Sequence, residues 1–145
     1  YFNNNIYIEP YKNEYKEQCE LLTIHISQEI GENKSISPES IANANTIFLS
    51  YPPEHSFVIR SNNNILAFIA FDVRQSTANF VCLIYKREPK YISTYSMVRA
   101  AQALYQGGVQ NLNLSGSELP TLDKWKNKFN PLKKINRFHV IWDKK

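Results

Sequence analysis

The sequence predicts a mixed α/β (α+β) domain, one central sheet flanked by helices, in the order β-α-α-β-β-β-α-β-α-β. Three observations predict it. Apolar runs rich in β-branched and aromatic residues follow one another at Phe57–Arg60, Ile65–Phe71 and Phe80–Tyr85, as in an antiparallel meander. Helical spacing of apolar residues both precedes and follows them. A helix ending at Gly107-Gly108 then separates the third run from a further strand, and a right-handed crossover makes that last pair parallel. With 145 residues, 43% apolar and 13% aromatic, the chain has the content of one core and is too apolar for a disordered segment.

Ile6-Tyr7-Ile8 before Pro10 reads as an opening strand, because proline cannot continue a ladder. From Tyr11 to Glu29, Tyr15, Cys19, Leu22 and Ile26 recur at spacings of four, three and four, the pattern of one buried helix face. Gly31 is a natural stop. Ser37-Pro38-Glu39-Ser40 has the form of an N-cap with proline in the first turn, opening a second helix through Ile41, Asn45 and Phe48. Pro52-Pro53 ends it. Ser61-Asn62-Asn63-Asn64 is a tight turn, since asparagine tolerates positive φ. Phe80–Tyr85, apolar on both faces, reads as a central strand covered on both sides. Residues 92–106 form a helix whose stripe is Ile92, Tyr95, Val98, Gln102 and Tyr105, with Leu104 adjoining. Val109–Leu114 is a strand with Leu112 and Leu114 facing one way and Asn111 and Asn113 the other. Leu119 to about Phe129 is a short helix, and Phe138–Trp142 a last strand. No repeat and no linker divides residues 1–145, so a single domain is expected. Tyr1 in place of Met reads as the start of a trimmed piece, or of the last domain of a longer protein.

Charge is unevenly placed. Residues 1–85 carry five bases against nine acids, net −4, and residues 86–145 carry twelve bases against four acids, net +8. The basic half is either a solvated face or a surface that meets an anion. Cys19 and Cys82 have no Cys-x-x-Cys or His-pair context, so neither zinc nor a disulfide framework is supported, and a reducing cytoplasm is the expected location. No metal site is expected. His25, His55 and His139 are scattered and receive no role. No apolar run approaches the ~18 residues of a membrane span.

The element order, with its meander, crossover helix ending in Gly-Gly and short strand, is similar to the GNAT acyltransferase fold. A local signal is more specific. Gly108-Val109-Gln110-Asn111-Leu112-Asn113-Leu114-Ser115-Gly116-Ser117-Glu118, then Leu122-Asp123-Lys124-Trp125-Lys126-Asn127-Lys128-Phe129, resembles the aminoacyl-tRNA-dependent branch of GNAT-like transferases. Within that branch it is closest to the catalytic domain of phosphatidylglycerol lysyltransferase-like enzymes, and more distantly to the Fem-type peptide-bridge enzymes. Ser115 stands where that family usually has glycine, and Trp125 where it has Phe. Ordinary acetyltransferases cradle the coenzyme A pyrophosphate with a glycine-containing loop at the start of the crossover helix, where bare backbone approaches the anion. Residues 86–95 contain no glycine. On that ground the resemblance implies an aminoacyl-tRNA donor, disfavours acetyl-CoA, and requires no tightly bound cofactor.

An acyltransferase moving an aminoacyl or other acyl group to an amine or hydroxyl, on a small molecule, lipid or peptide, is therefore expected. The alternatives are a non-catalytic GNAT-like binding or dimerisation domain and an acetyl-CoA-dependent N-acetyltransferase. The paired architecture of the related enzymes implies a second GNAT-like domain or a homodimer. By analogy the cleft lies between Phe80–Tyr85 and Val109–Leu114. The expected catalytic residues are Lys126, a cleft-facing cation matched by the motif, and Asn113. Asn111, Ser115, Ser117, Glu118 and Lys128 follow for substrate binding. Ser115 and Ser117 serve equally well as caps of the next helix, and positions 126 and 128 point about 200° apart on a regular helix, placing Lys128 outside. Lys86, Arg87 and Tyr91 sit where a phosphate-bearing donor approaches, basic residues interleaved with an aromatic.

Overall fold

The structure, a computed structural model, describes residues 5–31, 49, 53–115 and 120–133. It divides into two compact units, Tyr1–Asn113 and Leu114–Lys145. The second helix expected after Ser37 and the last strand at Phe138–Trp142 lie outside the described residues, apart from Leu49, which is helical and buried.

The first unit is built on a five-stranded sheet in chain order. β1 (Ile6–Pro10), β2 (His55–Ser61), β3 (Asn64–Arg74) and β4 (Thr77–Tyr85) are antiparallel neighbours, and β5 (Asn111–Asn113) runs parallel to β4. The meander and the parallel closing pair are as the sequence predicts. Asn62, at φ 52°, supplies the left-handed residue of the β2–β3 turn, which asparagine accepts more readily than most residues.

Helices cover the two faces. A short 3-10 turn (Asn13–Tyr15) leads into α1 (Lys16–Gly31), and the expected stripe of Tyr15, Cys19, Leu22 and Ile26 is buried against Val58, Ile65, Phe68 and Ala70. Thr23 and Ser27 extend that face. Their hydroxyls donate to the carbonyls of Cys19 (2.9 Å) and Thr23 (2.7 Å), which removes the penalty of burying an unpaired hydroxyl. On the opposite face Ile59, Leu66 and Ala67 pack with Ile92 of α2 (Ile92–Gln106), beside Ile6 and Ile8.

The α2 stripe differs from the expectation. Ile92, Ser96, Met97, Ala100 and Leu104 are buried, whereas Val98 and Tyr105 are exposed. The small residues Ser96 and Ala100 let the helix lie close to the sheet, and the Ser96 hydroxyl is satisfied by the Ile92 carbonyl at 2.7 Å. Reading the face from its largest side chains therefore rotated it. The helix stops as expected. Gly108 N–H donates to Tyr105 O and Val109 N–H to Leu104 O, with Gly108 at φ 94°, a paired closure that requires a left-handed residue and favours glycine.

This closure also shortens β5, expected at Val109–Leu114. Val109 N–H is used by the helix end, and the N–H groups of Gln110 and Asn111 converge on Ser76 O, so ladder pairing begins only at Asn111. β4 in turn is not fully covered, because Val81, Cys82 and Leu83 are half-buried. In the second unit, α3 (Pro120–Asn127) ends two residues before the predicted Phe129, whose ring packs edge-on against Trp125 at 5.2 Å.

Candidate functional site

Parallel pairing of β4 with β5 is confined to Thr77–Asn79 against Asn111–Asn113. The β3–β4 register then slips between Ala70 and Phe71: Phe71 faces Phe80 while Ala70 faces Cys82, leaving Val81 as the extra residue. Such a bulge bends its strand and sharpens its twist. The bend falls two residues past the last β4–β5 rung, and among the described residues no strand pairs with Val81–Tyr85 on the β5 side. The ladder between β4 and β5 thus ends at Asn79 and Asn113, short of the Phe80–Tyr85 and Leu114 positions between which the cleft was expected.

Asn113 is not free at this point. Its side-chain amide donates to Asn79 Oδ1 at 2.9 Å, and Asn79 Nδ2 donates to the Asp72 carbonyl at 3.2 Å. Asn79, which the sequence reading passed over, is identified only by register, since the pair is 34 residues apart. Asn111 is exposed.

Between β4 and α2 the segment from Lys86 to Tyr91 carries the expected basic residues. Lys86 N–H continues the sheet by donating to Leu66 O at 2.9 Å. Its side chain lines a cavity of about 410 Å3 shared with Gln18, Leu21 and His25 of α1. Arg87 Nε lies 3.4 Å from Glu29 Oε2, and His25 Nε2 is 3.3 Å from the other oxygen of that carboxylate. Arg87 is therefore tied to α1. Tyr91 precedes the helix at φ 69° and is 74% exposed. It makes the left-handed turn for which glycine is the usual residue, with its side chain turned to solvent.

In the second unit Lys126 is buried and its Nζ donates to the Ser115 backbone carbonyl at 3.2 Å. Burial lowers its pKa below the ordinary lysine value, and the nearby Asp123 carboxylate opposes the shift. Lys128 is exposed. Ser115 adopts φ 61°, the left-handed conformation that suits the glycine of the resembling motif. Ser117 and Glu118 lie outside the described residues.

Both cysteines are free, and burial pushes each thiol up to about 12, so neither supplies a thiolate near neutral pH. No group of three or more His, Cys, Asp or Glu suited to a metal ion occurs among the described residues. No described helix is long and apolar enough to cross a membrane.

No family model matches the chain, and no curated protein does. Solved structures do. An aminoglycoside acetyltransferase from an uncultured soil metagenomic sample, in complex with sisomicin, is 14% identical with a TM-score of 0.64, over 98% of each chain. Ribosomal-protein-alanine N-acetyltransferase from Brucella melitensis biovar Abortus 2308 is 12% identical at 0.64, over 96% of this chain and 99% of that one. The fold is that of the GNAT acetyltransferases. A GNAT family acetyltransferase from Brucella melitensis, 12% identical at a TM-score of 0.61 over 85% of this chain and 82% of its own, was solved in complex with acetyl-CoA. That complex overturns the expectation of an aminoacyl-tRNA donor with acetyl-CoA disfavoured. Tyr91 takes a left-handed conformation just before α2 with its ring exposed. The likeness to lysyltransferase-like and Fem-type enzymes rests on the sequence motif alone.

Proposed function

We propose that the chain is an acetyl-CoA-dependent acetyltransferase that moves the acetyl group to an amine or hydroxyl acceptor. The observation that carries this reading is the parting of β4 from β5 beyond Asn79 and Asn113, with the Val81 bulge turning β4 directly after it. A strand bent out of its ladder offers main-chain N–H groups to a ligand lying along it. Donors of this kind suit the amides of a pantetheine arm and the oxyanion that develops at a thioester carbonyl. The segment leading into α2 supports the reading from the other end of the cofactor. Lys86 and Lys90 precede a 15-residue helix in sequence, and the dipole at a helix start favours an anion such as a pyrophosphate.

The chemistry needs little more than alignment. The acceptor nitrogen or oxygen attacks the acetyl carbonyl carbon, the new C–N or C–O bond forms, the C–S bond breaks, and coenzyme A leaves as the thiol after taking up the proton that the acceptor loses. No covalent intermediate on the protein is required. One neighbour is named an aminoglycoside acetyltransferase and another a ribosomal-protein-alanine N-acetyltransferase, names that support an amine among the acceptors proposed here.

The test is release of free thiol from acetyl-CoA in the presence of a panel of amines and alcohols, followed with a thiol reagent. Acceptor-dependent release supports the reading, and its absence across the whole panel of amines and alcohols contradicts it.

A further inference from the structure

We propose that the Asn79–Asn113 amide pair is a clasp that fixes where β4 and β5 part. The argument starts from how little else holds β5. It is three residues long and pairs in parallel, the weaker ladder geometry per residue. At its entry two N–H groups share the single carbonyl of Ser76. At its exit the register pair is Asn79 with Asn113, and there the side chains add a bond of their own at 2.9 Å.

Asn79 also reaches the other way. Its amide donates to Asp72 O on β3 at 3.2 Å, so one side chain links three adjacent strands across the last rung. Two residues later the bulge at Val81 bends β4. A pin followed at once by a bend sets the fulcrum of the parting. Asparagine is a poor strand former, and its presence at both positions of a strand pair is explained by this bond. The clasp deepens the acetyl-CoA reading, on which its kinetic consequence rests. Its structural consequence does not depend on that reading.

The experiment uses Asn79→Val, Asn113→Val, the double variant, and Asn79→Asp, whose carboxylate oxygen still accepts the Asn113 amide. Valine favours strands, so loss of folding is not the expected result. Amide hydrogen exchange at Leu112 and Asn113 should accelerate about tenfold in either valine variant, and in the double no further than in Asn79→Val, with Asn79→Asp, which keeps the bond from Asn113 and loses the one to Asp72 O, between wild type and Asn79→Val. In turnover of acetyl-CoA, kcat should fall by about tenfold or more in each valine variant, again without addition, because small misplacements at a reacting centre have effects of this order. Unchanged exchange in the valine variants overturns the clasp, as does additive loss in the double. If wild type turns over no acetyl-CoA, the acetyltransferase reading fails, and the exchange data alone still decide the clasp.

Discussion

Lys126 Nζ donates to the backbone carbonyl of Ser115 at 3.2 Å, and Ser115 itself stands at φ 61°. A buried ammonium thus holds a peptide unit whose conformation disfavours an L side chain. The left-handed conformation costs roughly 1–2 kcal/mol for a residue with a Cβ, and glycine returns part of that through its larger unfolded-state entropy. Ser115→Gly should therefore stabilise the protein by about 0.5–1 kcal/mol, read as a higher midpoint in chemical denaturation. A lower midpoint would show that the serine side chain contributes more than its backbone loses.

The lysine itself has a pH signature. Burial holds its folded pKa below the ordinary 10.5, so between those two values the unfolded chain binds more protons than the folded one. Stability then rises with pH across that window. Lys126→Met keeps most of the volume and removes the proton, so the difference between wild type and variant should move in favour of wild type as pH is raised toward 10.5. A difference independent of pH would mean that the ammonium is not desolvated.

Glu9 of β1 and Arg60 of β2 give the opposite case. The Arg60 guanidinium hydrogen-bonds Glu9 Oε1 and donates to Tyr15 Oη at 3.1 Å, and it lies 4.9 Å from the Tyr15 ring centroid. The bond to Arg60 lowers the Glu9 pKa below 4.5, with burial opposing and the Tyr15 hydroxyl assisting. Its stabilisation is present above the ordinary carboxylate pKa and is lost as pH falls through the lowered one. Glu9→Gln should be less stable than wild type at pH 7, and the gap should close as pH falls below the ordinary carboxylate value of 4.5 and through the lowered one. A gap that persists at low pH would assign the effect to packing.

The end of α2 separates two glycines by their backbones. Gly108, at φ 94°, has nothing within 4 Å of an added Cβ, whereas Gly107 lies outside the left-handed region and has the Leu104 carbonyl at 3.3 Å. Gly108→Ala should cost about 1 kcal/mol from conformation alone. That lowers the thermal midpoint by several degrees for a chain of this size. Gly107→Ala should cost less. The reverse order would show that contact, and not φ, governs the turn.

These relationships also mark what the sequence made legible. The meander, the α1 stripe at Tyr15, Cys19, Leu22 and Ile26, and the glycine stop after α2 were local patterns, and each is present in the structure. The face of α2 was not legible, because close packing selects small residues such as Ser96 and Ala100, while large Tyr105 and Val98 stay outside. Asn79 and the Glu9–Arg60 pair escaped for another reason. Their partners are set by strand register over 34 and 51 residues, which periodicity does not encode. The donor was not legible either, because the absence of glycine in residues 86–95 says nothing of backbone conformation, and Tyr91 there adopts the left-handed turn with a side chain attached.

The central claim, acetyl-CoA at the parting of β4 and β5, is tested most directly by isothermal titration of the protein with acetyl-CoA, paired with thermal unfolding in millimolar ligand. Saturable one-to-one binding is expected, with stabilisation of about 2.7 kcal/mol when the ligand is at about 100 times its dissociation constant. The midpoint should then rise by several degrees. No heat of binding and no shift in the midpoint at millimolar acetyl-CoA would contradict the account.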